Sequence, residues 1–355
     1  MEKYAPYSEL KMFHHFDRME GLVNGQRVAP VYVRIKPTNV CNQNCFYCGY
    51  ANDILYDGRR VDRRESISWE CMERTVLELA GMGVKAVTFS GGGEPLCYHS
   101  IGDTLRLVQR LGMDYSMITN GQALEGEAVE MLKDAKWVRV SFDACKPGTY
   151  EGIRRVDTYE KVVYNIGNFA KAKSRECTLG INCVVTKQNY REIFEICKLA
   201  KGMGADNIKL SPLMVKDGEA GYHEMIKDTV TEQINRAKSQ LEGCSFRVVD
   251  KYTDDLSMEE GYEKKYHRCI IQELFTVIAA DSKVYRCHQT AYTEAGEIGD
   301  LKKQTFREIW HSSAVVDDVG QFDAYKACRF RCAFDERNML LNDFLHMDRS
   351  HINFI

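Results

Sequence analysis

The sequence predicts an α/β protein, a partial (β/α)6 TIM-like barrel followed by a small C-terminal α+β domain that contains a β-hairpin. Three observations support this prediction. Six short β-branched or aromatic runs alternate with segments of helical spacing up to about residue 214, the alternation stops near residue 215, and a hairpin pattern follows near residue 280. Six strand–helix units are fewer than the eight of a closed barrel, so we expect a partial one.

The six runs are predicted to be buried parallel strands joined by right-handed crossovers. In this class of fold the chemistry lies at the carboxyl ends of the strands, so the loops that follow them are the expected functional edge. The strands are predicted at 31–36, 86–90, 115–119, 137–142, 179–186 and 208–213, with helices at 69–82, 101–111, 159–172 and 190–203.

Beyond residue 215 the pattern changes to a charged helical stretch at 222–241 and then to a predicted hairpin at 275–287 that turns at Asp281 and Ser282. We therefore divide the chain into four parts. They are an N-terminal extension (1–30), the barrel core (31–215), a helical connector (216–260) and the C-terminal domain (261–355).

Composition excludes several classes of partner. The 48 basic and 51 acidic residues leave a formal charge of -3, which indicates neither a nucleic-acid nor a membrane-surface partner. The sequence has no apolar signal core and no run near the roughly 18 apolar residues of a membrane span, so we expect a cytoplasmic protein. Its 14 cysteines would then be reduced, and grouped cysteines in that setting indicate metal binding or redox chemistry.

One such group follows the first predicted strand. Cys41, Cys45 and Cys48 form a C-x3-C-x2-C motif on one short loop. A [4Fe-4S] cluster normally takes four thiolates, so three would leave one iron open to a substrate or cosubstrate. A zinc site with a remote fourth ligand is the alternative that spacing alone allows.

This motif, with Tyr47 before its third cysteine, resembles the signature of the radical S-adenosylmethionine (SAM) enzymes. The resemblance implies that the open iron chelates SAM and that cleavage of SAM gives a 5'-deoxyadenosyl radical, which abstracts hydrogen from unactivated C–H bonds. It also implies a flavodoxin- or ferredoxin-type electron donor as partner. Further motifs of the family occur in order at the ends of the later strands.

The resemblance assigns SAM-binding roles to these motifs. Glu94 of Ser90-Gly-Gly-Gly-Glu94 would accept from the SAM amino group, and the strand end Ser141-Phe-Asp143 would contact the ribose. Either Arg154 or Arg155 would pair with the SAM carboxylate. The predicted cofactor-binding residues are Tyr47, Gly92, Gly93, Glu94, Asn120, Ser141, Asp143, Arg154, Arg155 and Val185, with Val185 and its neighbour Val184 packing against the adenine.

Four cysteines of the C-terminal region form two pairs that fit a second cluster with all its ligands filled. Cys269 and Cys287 flank the predicted hairpin, and Cys328 and Cys332 form a C-x3-C pair. This layout resembles the auxiliary-cluster domains called SPASM and twitch. It departs from them in having Ser282 where a glycine is usual and four cysteines where the full pattern has seven, which favours one auxiliary [4Fe-4S] cluster. A structural zinc is the alternative.

Two further cysteines follow strand-end motifs and would be candidate hydrogen-atom donors to a substrate radical. They are Cys97 and Cys145, for which simple packing is the other interpretation. The basic run 59–64 could bind a phosphate, although a charge run is more often a solvated face.

A cluster that fills all its ligands is a natural electron acceptor, so we expect a two-electron oxidation of a small-molecule substrate. The cysteine layout resembles that of the 2-deoxy-scyllo-inosamine dehydrogenase group, which implies a sugar, cyclitol or nucleoside. The alternatives are a SPASM-type peptide maturase and a sugar epimerase, dehydratase or decarboxylase. Only 30 residues precede the first strand, fewer than a leader-peptide-binding domain needs, which favours the small molecule.

Overall fold

The computed structural model describes residues 7–51, 59–214, 221–256, 263–328 and 332–353. One ten-stranded sheet organises these residues, in the order β10-β9-β8-β1-β2-β3-β4-β5-β6-β7. The strands are β1 Tyr32–Ile35, β2 Ala86–Phe89, β3 Asp114–Thr119, β4 Trp137–Ser141, β5 Thr178–Val185, β6 Asn207–Pro212, β7 Arg247–Asp250, β8 Phe275–Ile278, β9 Lys283–Tyr285 and β10 Glu297–Asp300.

Helices follow the strands as an outer layer. They are α1 Phe16–Val23, α2 Trp69–Gly81, α3 Ile101–Arg110, α4 Glu127–Leu132, α5 Pro147–Arg154, α6 Tyr159–Ala172, α7 Ile193–Gly202, α8 Glu224–Leu241, α9 Tyr252–Leu256, α10 Phe306–His311, α11 Ser313–Gln321, α12 Ala324–Ala327 and α13 Asp335–His346. The predicted helices correspond to α2, α3, α6, α7 and α8.

The six predicted strands are β1 to β6, and each observed end lies within one residue of the predicted one. All six pair in parallel and in chain order, which confirms the predicted α/β class. Two further parallel strands extend this part of the sheet, because β7 pairs with β6 and β8 pairs with β1 on its other side. The first strand of the C-terminal region therefore lies beside the first strand of the barrel.

Side chains alternate between the two faces of the sheet, as the two-residue period of a strand requires. Val33 and Ile35 of β1 belong to the large apolar core that the strands form with the helices. The opposite face, which we call the inner face, carries Arg34 of β1. Along the paired strands it continues through Ser141 and Asn182 to Lys209.

The predicted hairpin is present, with β8 and β9 antiparallel around a turn at Asp281 and Ser282. Ser282 has φ 66°, a left-handed conformation that L-residues rarely adopt. The Asp281 carboxylate accepts from the Lys283 amide at 3.1 Å, which closes the turn. A search of the described helices identified none long and apolar enough to cross a membrane.

Candidate functional site

The loop with Cys41, Cys45 and Cys48 follows β1 at the carboxyl edge of the parallel strands, as predicted. All three cysteines are half-buried. Burial raises the pKa of Cys41 to about 12, and it also raises the pKa of Cys45. Thiols in this setting stay protonated at neutral pH unless a bound cation displaces the proton.

The glycine loop after β2 packs directly on this cysteine loop. The Gly93 amide donates to the Thr38 carbonyl at 2.8 Å, and the Glu94 amide donates to the Val40 carbonyl at 2.9 Å. A Cβ on Gly93 would lie 2.1 Å from the Val40 carbonyl oxygen, and a Cβ on Gly92 would meet the Asn39 side chain at the same distance. Both positions therefore require glycine for the two loops to approach.

Glu94 is almost fully buried, and its carboxylate accepts three hydrogen bonds. The donors are the Thr119 hydroxyl at 2.7 Å, the Asn120 amide at 2.7 Å and the Leu96 amide at 3.1 Å. Burial raises its pKa, which these hydrogen bonds offset only in part. A carboxylate has about four acceptor positions, so Glu94 keeps one for a cationic ligand such as an ammonium.

Asp143, Arg154 and Tyr47 form a buried cluster beside Cys45. The Asp143 carboxylate accepts from the Tyr47 hydroxyl at 2.6 Å and forms an ion pair of 2.5 Å with Arg154 Nη2. Arg154 Nη1 donates to Cys45 Sγ at 3.5 Å. Burial lowers the pKa of Arg154, but Asp143 and Tyr47 raise it well above its ordinary value, so this guanidinium stays charged.

The structure distinguishes the two neighbouring arginines. Arg154 is 4% exposed, and its Nε is buried without a hydrogen-bond partner in the described part of the chain. Arg155 is the exposed left-handed residue that ends α5. Only Arg154 is positioned to offer an unused donor to a ligand carboxylate.

Not all of the other predicted SAM-binding residues lie on the side of the site. Asn120 lies beside the cysteine loop, where its side-chain Nδ2 donates to Asn42 Oδ1 at 2.6 Å. Ser141 ends β4 on the inner face. Val185 points into the core between sheet and helices and is fully buried, whereas its neighbour Val184 shares the inner face with Ser211. Strand alternation thus puts Val184, and not Val185, on the side of the site.

The two candidate hydrogen donors, Cys97 and Cys145, lie in different surroundings. Cys97 closes a 3-10 turn directly after Glu94, and its thiol lies close enough to the Asn42 amide to accept from it. The Cys145 thiol instead donates to the Glu192 carboxylate at 3.3 Å, which also accepts from the Thr149 hydroxyl. Cys145 therefore contacts the start of α7 and α5 rather than the cysteine loop.

The four C-terminal cysteines are neighbours. Burial raises the pKa of Cys269, and the nearby thiols of Cys287, Cys332 and Cys328 raise it further. Cys269 precedes β8 and Cys287 follows β9, so both lie at the end of this antiparallel pair that is away from its turn, which is the amino end of β8. This is the end opposite to the edge that carries Cys41.

Buried polar residues that the sequence analysis did not identify hold this second group together. The Asp335 carboxylate accepts from Lys264 at 2.6 Å, from the Tyr266 hydroxyl at 2.6 Å and from the Cys332 amide at 2.7 Å. Asn338 donates to Cys269 Sγ at 3.5 Å. Their only sequence signal was their nearness to Cys269 and Cys332, because lysines and aspartates in a helical region normally predict solvent exposure.

Arg59 connects the two cysteine groups. Its guanidinium donates to the Gly49 carbonyl at 3.3 Å, one residue after Cys48, and to the Gln289 carbonyl at 3.0 Å, two residues after Cys287. The Tyr292 hydroxyl also donates to Asn39 in front of the first cysteine loop. These hydrogen bonds link the loops that follow the two cysteine groups.

The donor sets fit the groups expected from the sequence. Three half-buried thiols on one loop, next to a carboxylate with a spare acceptor and an arginine with a spare donor, suit an iron–sulfur cluster that binds an amino acid. Four neighbouring cysteines suit a multi-iron cluster with all its ligands filled. They do not surround a single ion, because among the residues that the structure describes no three His, Cys, Asp or Glu side chains form a group that could hold one metal ion.

Comparison with protein families agrees with this chemistry. The family model of the radical SAM superfamily matches residues 35–214, and that of the SPASM iron-sulfur cluster-binding domain matches residues 269–333. The chain belongs to the radical SAM superfamily and carries a SPASM domain at its C-terminal end. The protein is accordingly an enzyme that uses SAM, a [4Fe-4S] cluster and auxiliary iron–sulfur chemistry.

Curated relatives include enzymes of two kinds. The AdoMet-dependent heme synthase of Methanosarcina barkeri is 26% identical over 307 residues, which are 81% of this chain and 84% of that protein. A GTP 3',8-cyclase of Clostridium perfringens is 30% identical over 224 residues, 61% of this chain and 66% of that protein.

Solved structures show the same fold. SuiB of Streptococcus suis, bound to its precursor peptide SuiA, has a TM-score of 0.63 at 18% identity, over 87% of this chain and 70% of that one. The structure of anSMEcpe with bound AdoMet and Cp18Cys peptide has a TM-score of 0.62 at 20% identity, over 83% and 82% of the two chains.

Proposed function

We propose that this radical SAM enzyme oxidises a small polar metabolite, a sugar, cyclitol or nucleoside, by two electrons. Cys41, Cys45 and Cys48 would hold the cluster, which, when reduced and bound to SAM, would supply a 5'-deoxyadenosyl radical. The substrate would give up one hydrogen atom, yielding 5'-deoxyadenosine, and then a proton and one electron. The single auxiliary cluster, held by Cys269, Cys287, Cys328 and Cys332, is the proposed acceptor of that electron.

The observation that carries the proposal is the way the two cysteine groups are attached to one pair of strands. The first group follows the carboxyl end of β1, and the second lies at the amino end of β8, which pairs with β1. Strands of four residues span about 13 Å. An acceptor at that end is therefore close to any substrate bound between the two edges.

The chain's own residues would orient the cosubstrate. Glu94 has an acceptor position left for its ammonium, and the buried Nε of Arg154 can donate to its carboxylate. Asp143 is already occupied by Tyr47 and Arg154, so its role is to hold those two side chains rather than to contact the ribose.

A small substrate agrees with the names of the curated relatives, which refer to heme and to GTP. The structural neighbours were solved with peptides, but similarities at 18% and 20% identity show the fold alone. Peptide modification is the rival function, and the experiment must distinguish it from oxidation of a small metabolite. A flavodoxin- or ferredoxin-type protein is the proposed electron donor.

The test is anaerobic. Reconstituted enzyme, SAM and a reductant are mixed separately with the small-metabolite and peptide fractions of a host extract, and 5'-deoxyadenosine is measured. We expect the small-metabolite fraction to stimulate its formation and to yield a product lighter by two hydrogens. Stimulation by the peptide fraction alone would overturn the proposal.

A further inference from the structure

Sulfur atoms of the C-terminal cysteines lie within hydrogen-bond distance of polar donors. Within the described ranges, this holds for three of the four residues. The contacts are Asn338 Nδ2 to Cys269 Sγ at 3.5 Å, the Phe334 amide to Cys332 Sγ at 3.4 Å, and the Thr290 hydroxyl to Cys287 Sγ at 3.4 Å. We call these three groups the sulfur donors. Those of Asn338 and Thr290 are side chains and can be removed by substitution.

The orientation of the Asn338 side chain is set by its other partners. Asn338 is completely buried, and its Oδ1 accepts from the Ile271 amide at 2.9 Å. The Tyr266 hydroxyl donates to Asp335 at 2.6 Å and accepts from Asn338 Nδ2 at 3.2 Å. A reversed amide would place two N–H donors against one another at Ile271. Nδ2 is therefore the atom beside Cys269, and it donates to the sulfur.

Thr290 is the second side-chain donor. Either Thr290 or Cys287 could donate in this contact as long as the cysteine is a free thiol. A thiolate that holds iron has no proton, so in the loaded protein only the hydroxyl can donate. The backbone at this position is fixed separately, because the Thr290 carbonyl accepts from the Thr293 hydroxyl at 2.7 Å. Replacement of the Thr290 hydroxyl by a methyl group therefore removes the donor and preserves the turn.

The surroundings of these cysteines oppose the reduction of a cluster. Cys269, Cys287 and Cys332 pack against an apolar core that includes Phe275 and Phe334. A [4Fe-4S] cluster with four thiolate ligands gains a negative charge when it is reduced, and apolar surroundings disfavour added charge. Hydrogen bonds to the sulfurs stabilise that charge. The sulfur donors thus counteract the effect of burial on the reduction potential.

We propose that Asn338 and Thr290, by donating to Cys269 and Cys287, raise the reduction potential of the auxiliary cluster. The inference rests on the proposed function, because it explains how this cluster becomes an adequate electron acceptor. In that oxidation one electron passes from the substrate radical to the oxidised cluster, and the proton is released to solvent. Asn338 and Thr290 are positioning residues that act through the cysteines.

An anaerobic redox titration of the reconstituted holoenzyme, followed by electron paramagnetic resonance, tests the inference without substrate. The signal that SAM alters belongs to the other cluster and serves as an internal reference. We expect Asn338→Leu and Thr290→Val each to shift the midpoint of the auxiliary cluster to lower potential. Loss of one donor to a charged acceptor should change the equilibrium constant about tenfold, which is about 59 mV for a one-electron couple.

Asn342→Leu is the matched control. Asn342 lies one turn later on α13, and its Nδ2 donates to the carbonyls of Arg268 at 3.0 Å and Asn338 at 2.7 Å. It supports the same loop through main-chain oxygens, so its replacement should leave the potential unchanged. An equal shift in Asn342→Leu would overturn the inference, because loosening of the loop would then be the cause.

A wild-type potential in Asn338→Leu would also overturn the inference. If Asn338→Leu loses its auxiliary iron, Thr290→Val decides in its place. A lower potential in Thr290→Val then supports the inference, and a wild-type potential overturns it.

The yield of oxidised product per 5'-deoxyadenosine, measured with the stimulating fraction, separates this inference from the proposed function. A lower potential together with a lower yield supports both. A lower potential with the full yield supports the role of the sulfur donors and overturns the electron-acceptor role of the cluster. A wild-type potential overturns the inference alone and leaves the small-molecule oxidation standing. Zinc in place of iron at these four cysteines would overturn both.

Discussion

The guanidinium of Arg154 forms a buried ion pair with the carboxylate of Asp143, with Nη2 and Oδ2 2.5 Å apart. The same guanidinium donates to the sulfur of Cys45. One side chain thus neutralises a buried carboxylate and touches the cysteine loop, which makes the fold of the site dependent on it.

Replacement of Arg154 should therefore be costly. In Arg154→Met, Asp143 remains buried without its cation, and we expect a loss of about 3 kcal/mol in the free energy of unfolding, together with weaker SAM binding. The exposed Arg155→Met should change stability by less than about 0.5 kcal/mol. Thermal unfolding and SAM titration would measure both effects. Equal behaviour of the two variants would contradict the assignment of Arg154.

The two cysteine groups should have separable roles. Cys41→Ala should abolish SAM cleavage, because it removes a ligand of the cluster that binds SAM. Cys332→Ala should preserve SAM cleavage but stop product formation, because it removes a ligand of the proposed electron acceptor. Cys244→Ala, an exposed cysteine, is the control. Full turnover by Cys332→Ala would show that the electron-acceptor role is wrong.

Cys145 should react slowly with alkylating agents. Burial and the Glu192 carboxylate raise its pKa to about 12, so the folded protein holds the thiol proton more tightly than the unfolded chain does. The stability that this thiol contributes is complete below its unfolded pKa of about 9 and is lost as the pH rises through about 12. Iodoacetamide labelling at pH 8, followed by mass spectrometry, reports the thiolate fraction.

We expect Glu192→Gln to speed labelling of Cys145, because the substitution removes the negative charge that raises the pKa. Glu195→Gln, one turn later and exposed, should have a much smaller effect. Labelling of native Cys145 at the rate of a free cysteine would contradict the structure.

Ser282 should be a site of stabilisation. Its φ of 66° costs an L-residue roughly 1 kcal/mol that glycine does not incur. Ser282→Gly should therefore raise the free energy of unfolding by up to about 1 kcal/mol, less the entropy that glycine adds to the unfolded chain. Ser350→Gly, in the exposed C-terminal turn, is a control without that gain. A lower melting temperature for Ser282→Gly would argue against this turn geometry.

The sequence predicted the elements of the fold better than it predicted their neighbours. Strands β1 to β6 were recognised because each is an apolar run bounded by turn residues. β7 was missed because its two central valines are flanked by Arg247 and Asp250. The hairpin was predicted, but its pairing with β1 was not, because pairing between residues about 240 positions apart leaves no local pattern.

The same limit applied inside the site. Motif order predicted Glu94, Asn120 and Asp143 at the ends of successive strands, but it could not choose between Arg154 and Arg155, which differ in burial at the end of one helix. Of the two valines predicted to contact the adenine, Val185 lies on the core face, because neighbouring residues of a strand point to opposite sides of the sheet.

The most direct test of the central claim is the metal content of the anaerobic protein together with its electron paramagnetic resonance spectrum after reduction, with and without SAM. We expect about eight irons per chain, no zinc, and two reduced-cluster signals of which SAM alters only one. About four irons with one zinc, and a single signal, would contradict the two-cluster claim.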